Sequence, residues 1–207
     1  MNATTPISAA RKWTVVCLLG LGMVIAYVDR ANLSVVLALH DFVRHFRLND
    51  IDRGFLNSAF FWSYAVLQIP AGWVVDRYGS KLPYAIGFLF WSLTSAATGF
   101  VHNLDQLVSA RLLLGAGESI STAASLRWIR FHCREEERGL ATGILFSGTK
   151  FGAAIGVPIT AFLVTRFQWQ WMFAILGLGG LFWLGAWLRR GKRLVNQPIT
   201  DIQGRRI

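Results

Sequence analysis

Residues 167–188, FQWQWMFAILGLGGLFWLGAWL, form a stretch of 22 residues that contains no Asp, Glu, Lys or Arg. About 20 apolar residues in a helix, at 1.5 Å per residue, are long enough to cross the ~30 Å hydrocarbon core of a bilayer. Residues 55–75 and 82–101 are equally free of charge. The pattern therefore predicts membrane-spanning helices, since these runs are too long for the buried helices of a soluble domain.

Three further apolar stretches, each interrupted by only a few charges, complete a set of six predicted spans. They lie at residues 13–39, 55–75, 82–101, 106–128, 139–165 and 167–188. The chain is 54% hydrophobic and 15% charged, whereas a soluble domain carries about 25% charged residues. The composition therefore argues against a soluble enzyme. We expect an all-α membrane protein of six transmembrane helices, residues 13–190, between cytoplasmic tails at residues 1–12 and 191–207.

The positive charge is distributed unevenly over the predicted loops. If the spans alternate in direction, 14 of the 21 Lys and Arg residues lie on the side of the two termini and 4 on the other side. The positive-inside rule then places both termini in the cytoplasm. The same asymmetry accounts for the net charge of +10 without a nucleic-acid partner. A cleavable signal peptide is the alternative for the first span, but its apolar part ends in Asp29 and Arg30 and not in a small-residue cleavage site.

Five charged residues fall inside the predicted spans: Asp29, Arg30, Arg111, Glu118 and Lys150. Each would cost about 2.5–3.5 kcal/mol if it stood unpaired in lipid, so they must face one another or water. Counting residues from the span ends predicts an ion pair between Asp29 and Arg111, and a meeting of Glu118 with Lys150 deeper in the membrane. Intramembrane charges usually mark a transport pathway; snorkelling or a purely structural ion pair is the alternative.

A stripe of small residues runs along the fifth span at Gly148, Gly152 and Gly156. A spacing of four residues places these glycines on one helix face, which favours close packing against a neighbouring helix. Lys150 points about 200° away from Gly148 and so faces elsewhere. Spans one and four carry the remaining interior charges, one span in each set of three. This arrangement fits an inverted repeat of three plus three helices with spans one and four lining a cavity.

A charged motif, GWVVDRYGSK, occupies residues 72–81 between spans two and three. It resembles the signature G-x-x-x-D-R-x-G-R-[RK] of the major facilitator superfamily, with Ser80 where an Arg is usual. The small residue would allow close helix approach, and the carboxylate and cations would form a gate on the cytoplasmic side. The matching residues are Gly72, Asp76, Arg77, Gly79 and Lys81.

Three more segments, YVDRANLS at 27–34, RLLLGAGE at 111–118 and ERGLATG at 137–143, sharpen this resemblance. Together they look like the anion:cation symporter branch, which includes bacterial galactonate, glucarate and hexuronate permeases. The resemblance implies proton-coupled uptake of a small organic anion, commonly a sugar acid, by alternating access in the bacterial inner membrane. The proton would be the coupling ion, with no other cofactor, no metal and no catalytic residue.

The resemblance also implies roles for individual residues. Asp29 and Glu118 would be the proton-coupling carboxylates. Arg30 would bind the substrate carboxylate or belong to a switching ion pair, and Tyr27 would be a hydrogen-bonding wall residue. Lys150 departs from the pattern, because galactonate-type permeases tend to carry an amide there. An amine at that place would add a second contact to the anion, so a diacid or a hexuronate remains a candidate substrate.

The resemblance covers about residues 12–190, which corresponds to one of the two six-helix halves of such a transporter. We expect the N-terminal half, as a truncated gene product or a fragment that is inactive alone, with a second six-helix half as its partner. A homodimer is the alternative partner. A non-transporting membrane subunit or a membrane enzyme is the alternative function, but the sequence contains no HExxH or GxSxG motif and its four His residues lack metal-ligand spacing.

Overall fold

The computed structural model describes residues 9–191. This part of the chain folds into seven α-helices and one 3-10 turn, Thr98–Phe100, which extends the fourth helix. The helices are α1 Ala9–Val36, α2 His40–Phe46, α3 Asp50–Tyr78, α4 Lys81–Ala97, α5 Leu104–His132, α6 Glu135–Arg166 and α7 Trp169–Gly191. Most of the two predicted tails, residues 1–8 and 192–207, lies outside the described residues.

The six long helices coincide with the six predicted spans, whereas α2 was not predicted. α1 ends at Val36, a few residues before the expected end of the first span. α2 then packs its buried aromatic face on the start of α7, where the rings of Phe42 and Trp169 lie 5.0 Å apart, edge to face. Arg47 ends α2 in the left-handed conformation, with φ of 54°. The contact between Phe42 and Trp169 joins residues far apart in sequence, so no local sequence pattern predicts it.

Within residues 9–191, four helices are long and apolar enough to cross a membrane: α1, α3, α6 and α7. α4 has 17 residues, and α5 carries Arg111 and Glu118 in its interior; neither meets both requirements. The described chain is therefore a helical protein with several membrane-spanning helices. The crossing of α4 and α5 stays a prediction.

α1 and α6 form the most extensive helix contact, and the glycine stripe of α6 explains it. A Cβ atom added at Gly152 would lie 2.5 Å from the Val24 carbonyl oxygen, and one added at Gly148 would collide with the backbone of Gly20. The two backbones therefore touch without intervening side chains, as in small-xxx-small packing. The predicted packing role of the stripe is confirmed, and we call this contact the glycine seam.

α4 and α7 pack through large aromatic side chains as well as through a close backbone approach at Gly177, where an added Cβ would collide with the backbone nitrogen of Ala96. Phe88 and Trp91 are fully buried, and the rings of Phe88 and Trp183 stack with their centres 4.1 Å apart. The other face of α4, with Ile86 and Leu93, is exposed. Each of these two helices thus presents one face to the bundle, and α4 leaves its opposite face available to lipid.

The helices define two ends of the bundle. The α2 end holds α2 and the α6–α7 junction. The motif end holds the start of α1, the α3–α4 junction with residues 72–81, and the α5–α6 junction. Arg30 and Glu118 lie between these ends, on α1 and α5.

Candidate functional site

A buried ion pair joins α1 to α5 in the interior of the bundle. Arg30 Nε donates a hydrogen bond of 2.8 Å to Glu118 Oε2. The Glu118 side chain is fully buried, while that of Arg30 is 16% exposed. The expected meeting of Glu118 with Lys150 is therefore wrong, because Arg30 reaches the carboxylate from the neighbouring helix.

Three aromatic rings surround the Arg30 guanidinium. Its central carbon lies 4.6 Å from the ring centres of Tyr27 and Tyr64, and 5.0 Å from that of Phe60. Rings at this distance stabilise a cation through their negative faces. The Tyr64 hydroxyl lies 3.4 Å from Thr122 Oγ1, which ties α3 to α5 beside the pair. We call Tyr27, Phe60 and Tyr64 the aromatic cage.

The sequence predicted Tyr27 but missed the two cage residues on α3. Phe60 and Tyr64 belong to a charge-free span that is rich in aromatic residues throughout, so nothing in the pattern separates them from lipid-facing neighbours. Their spacing of four residues, which places both on one helix face, was the only available signal.

Asp29 points away from Arg30, toward α4. Its side chain is buried, and Oδ1 accepts a hydrogen bond of 3.1 Å from Ser95 Oγ. The predicted direct ion pair with Arg111 is not formed, because the Arg111 guanidinium is buried over the ring of Phe173, 5.7 Å from its centre. The two charges still interact electrostatically across the interior. Asp29 and Arg111 thus belong to one buried polar region without touching.

Each of the four interior charges keeps one polar atom that no described protein atom satisfies. These atoms are Asp29 Oδ2, Arg30 Nη2, Arg111 Nε and Glu118 Oε1. Most buried polar atoms in proteins have a partner, so four such atoms in one region are unusual. Among the described residues, no group of His, Cys, Asp and Glu side chains is placed to hold a metal ion.

Lys150 lies near the middle of α6, where its side chain is exposed. It stands on the helix face opposite the glycine seam, so it does not take part in the α1 contact. Its predicted role in substrate binding stays a prediction.

The charged motif links α3 to α5 at the motif end through an ion pair. Asp76 Oδ1 accepts a bond of 2.7 Å from Arg127 Nη1. Arg77 lies over the Trp73 ring, 5.6 Å from its centre. Gly79 ends α3 with φ of 80°, a left-handed conformation that glycine adopts without steric cost.

The remaining motif residues differ in their surroundings. A Cβ added at Gly72 would meet nothing within 4 Å, so the expected close helix approach at Gly72 does not occur within the described bundle. Lys81 begins α4, and its carbonyl oxygen accepts a bond of 3.2 Å from Trp187 Nε1. A second ion pair, Lys12 with Glu137, joins α1 to α6 at this same end.

Residues 9–191 thus form a multi-pass helical bundle with a caged cation and a buried carboxylate in its interior. Residues 19–204 match the family model of the Major Facilitator Superfamily, and the chain belongs to this family. The sequence-based resemblance is thereby confirmed, and so is the expectation that the protein is not an enzyme.

Named relatives are transporters of organic acids. The chain is 32% identical over 189 residues to the D-galactonate transporter of Escherichia coli O6:H1. The matched region covers 91% of this chain and 43% of that protein. It is 33% identical over 185 residues to the probable galactarate/D-glucarate transporter GudP of Bacillus subtilis, covering 86% of this chain and 40% of the relative. The chain thus spans about two fifths of the length of these relatives.

Solved structures show the same fold. A bacterial homolog to the human lysosomal transporter Spinster, in its inward-facing and unoccupied conformation, superposes with a TM-score of 0.81 at 20% identity. The match covers 96% of this chain and 47% of that one. The helical arrangement of the described residues is therefore that of one portion of a larger transporter fold.

Proposed function

We propose that the chain works in proton-coupled symport of a small organic anion, with a sugar acid as substrate. The observation that carries the proposal is the buried Arg30–Glu118 ion pair beside the aromatic cage. A guanidinium is the side chain best suited to bind a carboxylate, because its planar fork matches the two oxygens. The printed names of the relatives, which refer to galactonate, galactarate and glucarate, supply the substrate class.

Partner exchange links the proton to the substrate. Protonation of Glu118 removes the charge that holds Arg30, and the guanidinium then binds the carboxylate of the anion. Loss of the proton restores the ion pair and expels the substrate, so the two ligands favour one another by thermodynamic linkage. Tyr27 forms the wall beside the guanidinium, Asp29 is the second proton-titrating group, and Lys150 contacts a second anionic group of the substrate.

The helix contacts support an inverted repeat of three plus three spans. In such a repeat α1 corresponds to α5, α3 to α6 and α4 to α7. The α1–α6 contact then corresponds to the α5–α3 contact, and the α4–α7 contact corresponds to itself. These three helix pairs are among the most extensive contacts of the bundle. In this scheme all six long helices cross the membrane. Both termini lie in the cytoplasm, the motif end faces inward, and the membrane is the bacterial inner membrane.

Alternating access in this scheme needs a second six-helix bundle to enclose the substrate. Helix α3 exposes several large apolar side chains that such a bundle would cover. These include Phe61, Trp62 and Ile69. A supplied second half is the partner we propose, and a second copy of this chain is the alternative.

Uptake into proteoliposomes tests the proposal. Labelled galactonate and galactarate would be offered with and without an imposed pH gradient, to the chain alone and to the chain combined with the C-terminal half of a relative. We expect gradient-dependent uptake in at least the combined sample. Glu118→Gln should abolish dependence on the gradient while anion binding persists; Glu136→Gln, at an exposed position in the first turn of α6, is the matched control. Absence of gradient-driven uptake in every sample would exclude symport.

A further inference from the structure

Two hollows have walls that include neither Arg30 nor its aromatic cage. The first is an apolar groove of about 460 Å³ between α1, α6 and α7. Its walls include Val24, Val28, Ile155, Ile159, Leu163 and Ile175. The second is a polar pocket of about 640 Å³ at the α2 end, between α2 and the α6–α7 junction.

The groove and the pocket follow one another along α6. The groove reaches from Ile155 to Leu163, and the pocket begins at the next residue, Val164. Eight residues of helix correspond to about 12 Å, which is close to the ~15 Å depth of one leaflet of the hydrocarbon core. An acyl chain that starts at the pocket therefore fits the groove along its whole length.

The pocket carries charges of both signs. Arg166 supplies a guanidinium and Asp41 a carboxylate, while His40 and Gln168 add further polar side chains. Gln170 also lines the pocket, and its buried Oε1 has no partner among the described residues. A purely anionic headgroup would leave Asp41 facing like charge. A zwitterionic headgroup satisfies both ions, with its phosphate at Arg166 and its ammonium at Asp41.

We propose that this double hollow is a specific site for one phospholipid with a zwitterionic headgroup, made of a phosphate and an ammonium, and phosphatidylethanolamine is the probe for it. One acyl chain occupies the groove against α1, and the headgroup occupies the pocket at the α2 end. Asp29 forms part of the groove wall, so the bound chain closes the apolar back of α1 behind this buried acid. The site is separate from the proposed anion site and does not rest on the transport proposal.

Photolabelling of the full chain in lipid nanodiscs tests the groove. The probe is a phosphatidylethanolamine with a diazirine in one acyl chain, and the labelled peptides are mapped by mass spectrometry. We expect label on the facing segments of α6 and α7, between Ile155 and Leu163 and near Ile175. Label spread evenly over the exposed faces of α3 and α4 would overturn the proposal, and this outcome needs no variant.

A matched pair of glycines on α7 provides the variants. A Cβ at Gly179, in the groove, or at Gly185, outside it, would meet nothing within 4 Å, so both positions tolerate a larger side chain. Gly179→Leu fills the groove and should lose most of the labelling, whereas Gly185→Leu should keep it. Equal labelling of the two variants would contradict occupation of the groove.

The headgroup is tested by competition between unlabelled phosphatidylethanolamine and phosphatidylglycerol. Wild-type chain should be protected better by phosphatidylethanolamine, and Asp41→Asn should lose this preference. Arg166→Gln should weaken protection by both lipids, while Arg44→Gln, at an exposed position of α2, should not. Equal protection of the wild type by the two lipids would overturn the headgroup assignment. None of these readouts measures transport, so their failure is distinguishable from failure of the proposed function.

Discussion

The ion pair inside the bundle and the ion pair at the motif end have nearly the same geometry and very different surroundings. The N–O distance is 2.8 Å between Arg30 and Glu118 and 2.7 Å between Arg127 and Asp76. Glu118 is fully buried, whereas the Asp76 side chain is 74% exposed. Water can replace Arg127 as a partner of Asp76, whereas the Glu118 side chain has no exposed surface. Burial, and not distance, therefore sets how much each pair matters.

The largest effect is expected from breaking the interior pair. Arg30→Gln leaves the Glu118 carboxylate buried without its cation, which should lower the free energy of unfolding by about 3–5 kcal/mol. Denaturant unfolding in detergent, followed by tryptophan fluorescence, measures this loss. Adding Glu118→Gln to the same chain should restore much of the stability. If Arg30→Gln unfolds like the wild type, water reaches the carboxylate.

A second prediction asks whether an uncharged contact in the interior is also sensitive. Gly152→Leu places side-chain atoms where the α1 backbone now lies, because even a Cβ would be 2.5 Å from Val24 O. Overpacking of this kind costs about 1–3 kcal/mol. Gly143→Leu is the control, since a Cβ at that position meets nothing within 4 Å. If the two variants unfold at the same denaturant concentration, the helices at the glycine seam can move apart to accept a side chain at little energetic cost.

The Lys12–Glu137 pair lies between the two extremes, with side chains 10% and 18% exposed. Lys12→Met should therefore destabilise the chain less than Arg30→Gln and more than a change at Asp76. Lys12→Arg keeps the cation and should stay close to the wild type. Thermal unfolding at low and high salt is the measurement, and the penalty of Lys12→Met should shrink as salt rises. A penalty that does not change with salt would point to packing and away from charge.

The smallest effect on stability is expected at Asp76. Asp76→Asn removes an ion pair whose carboxylate side chain is 74% exposed, although that of Arg127 is only 12% exposed, and this should cost no more than about 1 kcal/mol. The same thermal unfolding assay serves as the measurement, with Arg127→Gln as the reciprocal variant. A loss as large as that of Arg30→Gln would show that exposure does not rank the pairs. If transport falls while stability holds, the motif acts in gating.

Sequence alone identified the interior charges and the glycine seam but not the partners of the charges. The seam follows directly from the spacing of Gly148, Gly152 and Gly156, because a four-residue spacing fixes a helix face. Residue counting gives depth along a helix but not rotation about it. Asp29 and Arg30 are adjacent and point about 100° apart, so one reaches Ser95 and the other Glu118.

Two further features had no usable signal in the sequence. α2 is only seven residues long, and its buried face packs on Trp169, more than a hundred residues away. The cage residues Phe60 and Tyr64 sit among many other apolar and aromatic residues of α3. In both cases the decisive contacts are made between helices, whereas the pattern of a single helix records only its own periodicity.

The glycine seam also limits how the protein can change shape. Side chains between two helices can switch rotamers and let the helices slide, but the seam has none at Gly148 and Gly152, where backbone lies against backbone. We therefore expect α1 and α6 to move together as one unit. Arg30 lies on α1 and Lys150 lies on α6. The distance between the backbones of these two residues should therefore stay constant during any such movement.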